Sequence, residues 1–383
     1  MSAPGVLVVG AGLAGLACGR ELARCHIPFQ IVEASDGVGG RVRTDLVDGF
    51  RLDRGFQIYL TAYPEGARVL DLAALDLKPF TRGALVRAGV KFHRVADPRS
   101  EPLAAARSLF NAVGTPLDKV KLLRLLADVR REPPDAPNPD RSTLDQLRAA
   151  GLGPKLVDRL FRAFFGGVFL ERELNTSARL FRFVFGAFVD GPGAVPAHGM
   201  QAIPEQLAAR LPPGSVRLNA KAEALADNAV TLSGGEVLRA RAVVVAADGS
   251  AAARLLGAAI PEPAWKGNVT LYYAADEPPV PEPILLLDGD GRGPVNHAVV
   301  MSNASPAYAP PGKALVAASV VGLPVEGDAE LDHRARVQLI EWFGPLVAGW
   351  KLVRAYRIPE ALPVQGPGAL DPWERPVRVR PVF

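Results

Sequence analysis

Three glycines and a carboxylate near the start of the chain have the spacing that chemistry on a nucleotide requires. Gly10, Gly12 and Gly15 form G-x-G-x-x-G within "VLVVGAGLAGLACG", and Glu33 lies eighteen residues past Gly15. In such a motif the first glycine permits a tight turn. The second lets a phosphate approach the backbone, and the third lets the following helix pack close to the strand. Leu13 and Ala14 open that helix, whose free N–H groups and partial positive charge suit a pyrophosphate. Glu33, with Ala34 beside it, ends a second apolar run, where a carboxylate can accept hydrogen bonds from an adenosine ribose. It would repel a 2′-phosphate, which disfavours NADP. A lone G-x-G-x-x-G is a weak signal, but here strand, helix and acid stand in the required context.

The elements that must position these residues read as strand, turn, helix, strand. Val6 to Val9 is a continuous, largely β-branched run of the kind buried on both faces of a parallel sheet. Leu13, Leu16, Arg20 and Ala23 follow at helical spacing, and Ile31 and Val32 make the next strand. The whole chain has 383 residues, 49% of them hydrophobic, which suits two intertwined domains with a sizeable interior. The net charge of +4 comes mostly from scattered arginines. No basic block or aromatic-studded basic motif points to nucleic acid. Cys18 and Cys25, seven residues apart on a helix, are too distant for a disulfide and suit a reducing compartment. The first residues have no basic n-region, and no apolar run reaches the length of a membrane span. The expected location is cytoplasmic.

The stretch after Glu33, "EASDGVGGRVRTDLVDGFRLDRGFQ", resembles the flavin amine oxidase, protoporphyrinogen oxidase and phytoene desaturase superfamily. The resemblance implies FAD. It places Gly39, Gly40 and Arg41 near the pyrophosphate, and Gly55 and Phe56 beside the flavin ring. Arginine pairs well with phosphate oxygens, and paired glycines allow backbone contact that side chains would block. The resemblance returns at "PAHGMQAIPEQLAARLPPGSVRLNAKAEAL", a helix over 203–210 and a strand in which Ala222 matches the family's adenine-contacting position. "EVLRARAVVVAADGS" then reads as a buried strand over 243–247 and a turn at Asp248 and Gly249. The expected fold class is α/β, a Rossmann-like FAD-binding domain interleaved with a mixed α+β substrate domain. Residues 1–64, 195–255 and 341–383 fall to the first, and 65–194 and 256–340 to the second.

Residues 65–190 read as mainly helical and irregular. The segment 117–131, "LDKVKLLRLLADVRR", packs one face on a core and solvates the other, a reading favoured over a helix lying on a membrane surface. The proline-rich stretch 131–140 is a loop. Eight of the sixteen phenylalanines fall between Phe161 and Phe188, either as walls of an apolar pocket or as an ordinary helical core. Arg162 and Arg182 among them would hold a carboxylate or snorkel to the surface. "NVTLYYAAD" and "ALVAASVVGL" read as sheet members, and "DGDGRG" as a turn without the ligand set of a calcium loop. The five scattered histidines argue against a zinc site, and a serine hydrolase elbow is missing from the sequence. Lys266, beside Trp265, resembles the lysine that some amine oxidases keep near the flavin. No catalytic base is named.

After a segment like "YRIPEALPVQGPGAL", Tyr356 to Leu370, the resemblance implies a final strand, a G-D turn and a helix facing the flavin. Here the strand is "RPVRVRPVF", with which the sequence ends. Losing a helix N-terminus and a charge-assisted hydrogen bond costs about one to three orders of magnitude in FAD affinity. The sequence therefore reads either as an incomplete version of a longer flavoenzyme or as a short protein with impaired flavin chemistry. The expected function is an FAD-dependent oxidoreductase acting on an apolar or amine-bearing small molecule. A flavin-dependent isomerase and a silent remnant are the alternatives.

Overall fold

The computed structural model describes residues 5–131, 139–226, 228–257 and 260–370. The final strand expected at 375–383 lies outside them.

Val6–Val9 is flanked on both sides by parallel strands, which is why it is apolar throughout. Its neighbours are Phe29–Val32 and Ala242–Val245, with Val8 opposite Ile31 and Val244. Val216–Arg217 extends this four-stranded sheet beyond Phe29–Val32. Alternation sends Leu7 and Val9 to one face, where they pack with Val32, Ala220, Val230 and Leu232. Val8 and Ile31 face the other way, onto Leu16 of the helix Leu13–Arg24 and onto Leu207 and Leu211. Gly19 lets that helix lie close, since a Cβ there would come within 3.0 Å of Ile31 and Phe29. The expected strand–helix–strand unit and the strands near 216 and 243 are thus joined in one sheet.

A second sheet has seven strands in the order 351–363, 265–275, 314–321, 295–300, 285–288, 83–88 and 91–96. "NVTLYYAAD" and "ALVAASVVGL" are antiparallel neighbours in it, Thr270 opposite Ser319. Residues on one face, among them Val269, Leu271, Tyr273 and Val316, pack under Leu331, Ala335, Leu339 and Trp342 of the helix Asp328–Phe343. On the other face Tyr272, Val299, Leu315 and Ala317 meet Phe50, Leu52 and Ile203. Phe161, Phe165, Phe169 and Phe181 gather with Val86 and Leu287 nearer its far edge.

Two segments depart from the expected division. The hairpin Gly83–Ala88 and Lys91–Ala96 falls in the stretch read as mainly helical. Its alternation through "GALVRAGVKFHRVA" turns at Gly89, whose φ of +66° suits glycine. The sequence reading also expects 341–383 in the dinucleotide-binding domain. Lys351–Pro363 instead pairs along Trp265–Ala274 as the edge strand of the seven-stranded sheet.

The hairpin Thr44–Val47 and Phe50–Asp53 is tied to the seven-stranded sheet and to the segment before the helix Ala202–Ala209 through Asp53, fully buried at its end. Its carboxylate accepts hydrogen bonds from the Thr44 hydroxyl (2.5 Å), the Met200 N–H (2.9 Å) and the Tyr308 hydroxyl (2.8 Å). The Tyr272 hydroxyl donates to its carbonyl. Burial pushes the carboxyl up to about 6, against the downward pull of those three donors. A carboxyl raised in the folded state contributes most below its unfolded value of about 4, and loses that contribution as pH rises through about 6. Roughly two pKa units correspond to about 3 kcal/mol. Asp53→Asn should remove this dependence. Measured by urea denaturation, the stability of the variant relative to wild type should rise between pH 4 and pH 7; a pH-independent difference would show that Asp53 is not held this way.

Candidate cofactor cradle and substrate cavities

The glycine loop is built by close backbone approaches. The Gly10 N–H donates to the Val32 carbonyl at 2.8 Å, and Gly10 adopts φ +103°. A Cβ on Gly15 would lie 1.9 Å from the Gly10 carbonyl oxygen, so only glycine lets helix and strand meet there. Gly12 differs: its φ of −69° suits any residue, and nothing lies within 4 Å of an added Cβ. It caps the helix Leu13–Arg24, whose first turn has no side-chain cap and no acidic residue, and Leu13 and Ala14 are exposed. Gly39 docks against this loop, its N–H donating to the Ala11 carbonyl at 2.9 Å, with Gly12 and Gly39 bridged in parallel. Gly40 (φ +59°) follows, and a Cβ there would lie 3.5 Å from Gly12 Cα.

Glu33 points at this loop. One carboxylate oxygen accepts the Ala11 N–H at 2.7 Å, and the other accepts the Ser35 N–H (2.9 Å) and hydroxyl (2.8 Å). A carboxylate has about four acceptor sites, so room remains for ribose hydroxyls, and Ala34 beside it is exposed. Ala222 follows Ala220, whose N–H donates to the Glu33 carbonyl at 2.7 Å. Gly10, Gly12, Gly39, Gly40 and Glu33 therefore meet around one loop, whose open space and uncapped N–H groups fit a pyrophosphate, while Ala222 packs beside Leu7 and Val9.

Arg41, Gly55 and Phe56 lie further along and line a cavity of about 670 Å³. Gly55 is buried with φ +87°, and a Cβ would come 2.8 Å from Ile358. The Phe56 N–H donates to the Thr270 hydroxyl at 3.2 Å. Arg41 lies over the Trp265 ring at 5.5 Å and donates to the Ala361 carbonyl at 2.9 Å. Arg354, Tyr356 and Ile358 add a wall from the edge strand. Asp45 there is pushed up by burial and pulled further down by hydrogen bonds from Arg54 and Tyr356, ending below the usual range. Burial and the bond to Asp45 push the Tyr356 phenol up to about 12.

His297, also on this cavity, was missed by the sequence reading. Asn296 Nδ2 must face the Ala163 carbonyl (2.8 Å), which only accepts, so its other hydrogen meets His297 Nδ1 at 3.1 Å. The proton then resides on Nε2, which is buried without a partner among the described residues. Burial pushes this histidine down to about 4 and keeps it neutral.

A second cavity of about 740 Å³ abuts the first and shares Phe56, Ile58, Phe164, Phe188 and Leu285 with it. The phenylalanine segment thus serves both expected roles: Phe169 and Phe181 are core, while Phe164 and Phe188 wall both cavities. Arg162 turns outward to Asp158, and neither it nor Arg182 lines these cavities. Lys266 is held by Glu171 (2.7 Å) and the Thr176 hydroxyl (2.9 Å), and neither cavity wall includes it. Among the described residues no group of three His, Cys, Asp or Glu could hold a metal ion.

Residues 13–382 match the family model of flavin containing amine oxidoreductases. The chain belongs to that family. FAD is its cofactor, as the cradle's chemistry allows. Polyamine oxidase 4 of Oryza sativa subsp. japonica is 41% identical over 54 residues, covering 14% of this chain and only 11% of that protein. Probable polyamine oxidase 4 of Arabidopsis thaliana is 38% identical over 52 residues, 14% of this chain and 10% of that protein. Among solved structures, a putative protoporphyrinogen oxidase from Exiguobacterium sp. 255-15 superposes with TM-score 0.71 at 18% identity, covering 97% of this chain and 90% of that one. Reduced UDP-galactopyranose mutase gives TM-score 0.71 at 18% identity (96% and 86%). Putrescine oxidase bound to putrescine gives 0.67 at 18% identity (96% and 89%). At these identities the likeness establishes the fold, an α/β flavoprotein architecture.

Two glycine variants separate cofactor binding from folding. Gly12→Val should leave the melting temperature of the flavin-free chain unchanged and abolish visible flavin absorbance in the purified protein. Gly15→Ala should destabilise the flavin-free chain itself, by about 1–3 kcal/mol for forced overpacking. A yellow Gly12→Val protein would move the cradle elsewhere.

Proposed function

We propose that this chain is an FAD-dependent oxidoreductase acting on an apolar small molecule without a polycationic character. The observation that carries this reading is the composition of the two abutting cavities. Phenylalanine, leucine and isoleucine make much of their walls, and their charged residues are mostly basic: Arg41, Arg54, Arg354 and Arg357 in the first, Arg82, Arg99 and Lys119 in the second. The acids are already taken. Asp45 is engaged by Arg54 and Tyr356, and Asp97 by Arg99 and Arg82. A polyamine entering here would exchange water for cationic walls with no unpaired carboxylate to receive it, a desolvation cost without recompense.

In this reading the Gly10–Gly15 loop, the helix it opens, Glu33 and the Gly39–Arg41 turn hold the nucleotide part of FAD. Gly55 and Phe56 border its ring. FAD, when bound, supplies the acceptor for a hydride taken from the substrate. The protein's own contribution is positional. Phe56, Phe164 and Phe188 exclude water and orient an apolar skeleton, and neutral His297 lines the first cavity without adding charge. An isomerase of the same architecture finds support only in the fold shared with the mutase, so the oxidoreductase reading stands first.

Dodecanoate and spermidine are matched probes for the test, added to the flavin-loaded protein. Dodecanoate should raise the melting temperature and perturb the flavin spectrum, and spermidine should do neither. Anaerobic bleaching of the flavin by spermidine would overturn the apolar-substrate reading.

A further inference from the structure

Helices Pro102–Ser108 and Pro116–Arg131 both line the second cavity, and both leave large apolar side chains exposed on or beside them. Leu103 is 77% exposed and Phe110, just past the first helix, 83%; Leu117 on the second is 63% exposed, with Val120 and Leu123 beside it. Leu117, Val120 and Leu123 recur three residues apart and share one face of the second helix. The inward face of the second helix is satisfied separately, by Leu125 and Val129 in the core and by Lys119, whose ammonium bonds the Ser108 carbonyl and Asn111. One face of that helix thus packs on the core, as expected, and the other lies exposed. Exposed Leu, Val and Phe side chains contribute nothing to this fold, and a patch of this kind marks a contact surface.

The same helices form the cavity's mouth. Exposed Pro102, Ala106 and Leu123 are among its lining residues, and Leu109, Leu122 and Leu126 continue the lining inward. An apolar molecule leaving a bilayer at this rim would meet Leu123, Leu122 and Leu126 on its way into the cavity.

Charge selects the occupant. Arg107 and Arg124 lie exposed among these apolar side chains, whereas Lys119 and Asp118 are buried. Mixed leucine, phenylalanine and arginine on a helix face suits an anionic bilayer interface, where the rings enter the acyl boundary and the cations meet headgroups. A second copy fits poorly, because a two-fold contact would set this basic surface against itself.

We propose that the rim formed by residues 102–131 docks on an anionic lipid bilayer, with the mouth of the apolar cavity facing the lipid. This goes beyond the oxidoreductase reading, and neither FAD nor substrate is needed to test it.

Co-sedimentation of the full chain with vesicles of phosphatidylcholine, with and without phosphatidylglycerol, is the experiment. Wild type should bind the phosphatidylglycerol vesicles, and less so at high salt. Phe110→Ser/Leu117→Ser should weaken that binding at least about tenfold, from the lost apolar burial. Arg107→Glu/Arg124→Glu should weaken it on anionic vesicles only. Val325→Ser, at an exposed site elsewhere, should bind as wild type does. Circular dichroism checks that each variant is folded, and both rim pairs replace exposed side chains. Absence of vesicle binding by wild type would overturn the proposal. So would unchanged binding by Phe110→Ser/Leu117→Ser, or a wild-type dimer that this variant converts to a monomer. The dodecanoate and spermidine result is independent, so either reading can fail alone.

Discussion

The arrangement depends on a carboxylate that water cannot reach. Asp53 takes Thr44 from its own hairpin, Met200 from the segment before the 202–209 helix and Tyr308 from the seven-stranded side, while Tyr272 holds its carbonyl. Three donors on one buried carboxylate offset part of its desolvation, and the remainder appears as the raised pKa. Removing any one donor would leave a buried acceptor short of a partner, which costs more than the bond contributes when formed. Gly55 and Phe56 follow directly, so the floor of the first cavity inherits its position from this junction. Phe56 is then fixed on Thr270 of the same sheet that supplies Tyr272.

Local physics made the cradle legible in sequence. Gly10, Gly12, Gly15 and Glu33 lie within one strand–helix–strand unit, where neighbours impose the turn at Gly10 and the close approach at Gly15, while Gly12 faces open space. Gly39 and Gly40 were readable for the same reason. Asp53 was not, because its partners lie 147, 219 and 255 residues away. His297 was hidden equally well: its neutral state comes from burial beneath Gly167 and from Asn296, not from any pattern along the strand. The phenylalanines show a third kind of limit. Periodicity marks which face of a helix is apolar, but it cannot say whether that face meets another helix or an open space.

The sequence reading took residues 341–383 with the dinucleotide-binding domain and named no strand at 351–363, yet the pairing of that segment matters to the site. Lys351–Pro363 runs along Trp265–Ala274, a partner about 90 residues away that nothing local in its sequence marks. Arg354, Tyr356, Arg357 and Ile358 of this strand then line the cavity. Had it joined the parallel sheet, the first cavity would have lost the wall that anchors Asp45.

That wall also fixes the electrostatics of the cavity. Asp45 is held low by Arg54 and Tyr356 despite its burial, so it stays anionic. Tyr356, pushed up to about 12, remains a neutral donor to it. His297, pushed down to about 4, remains uncharged. The arginines keep their charge throughout. The perturbed groups on this wall have moved outward from neutrality, acids and bases alike, so between roughly pH 5 and 10 none of these three changes protonation. A constant field in a largely apolar chamber suits a protein whose redox step belongs to its cofactor. Over that range the three groups hold their charge states rather than exchange protons, because burial and the Asp45–Tyr356 bond have moved each of them away from it.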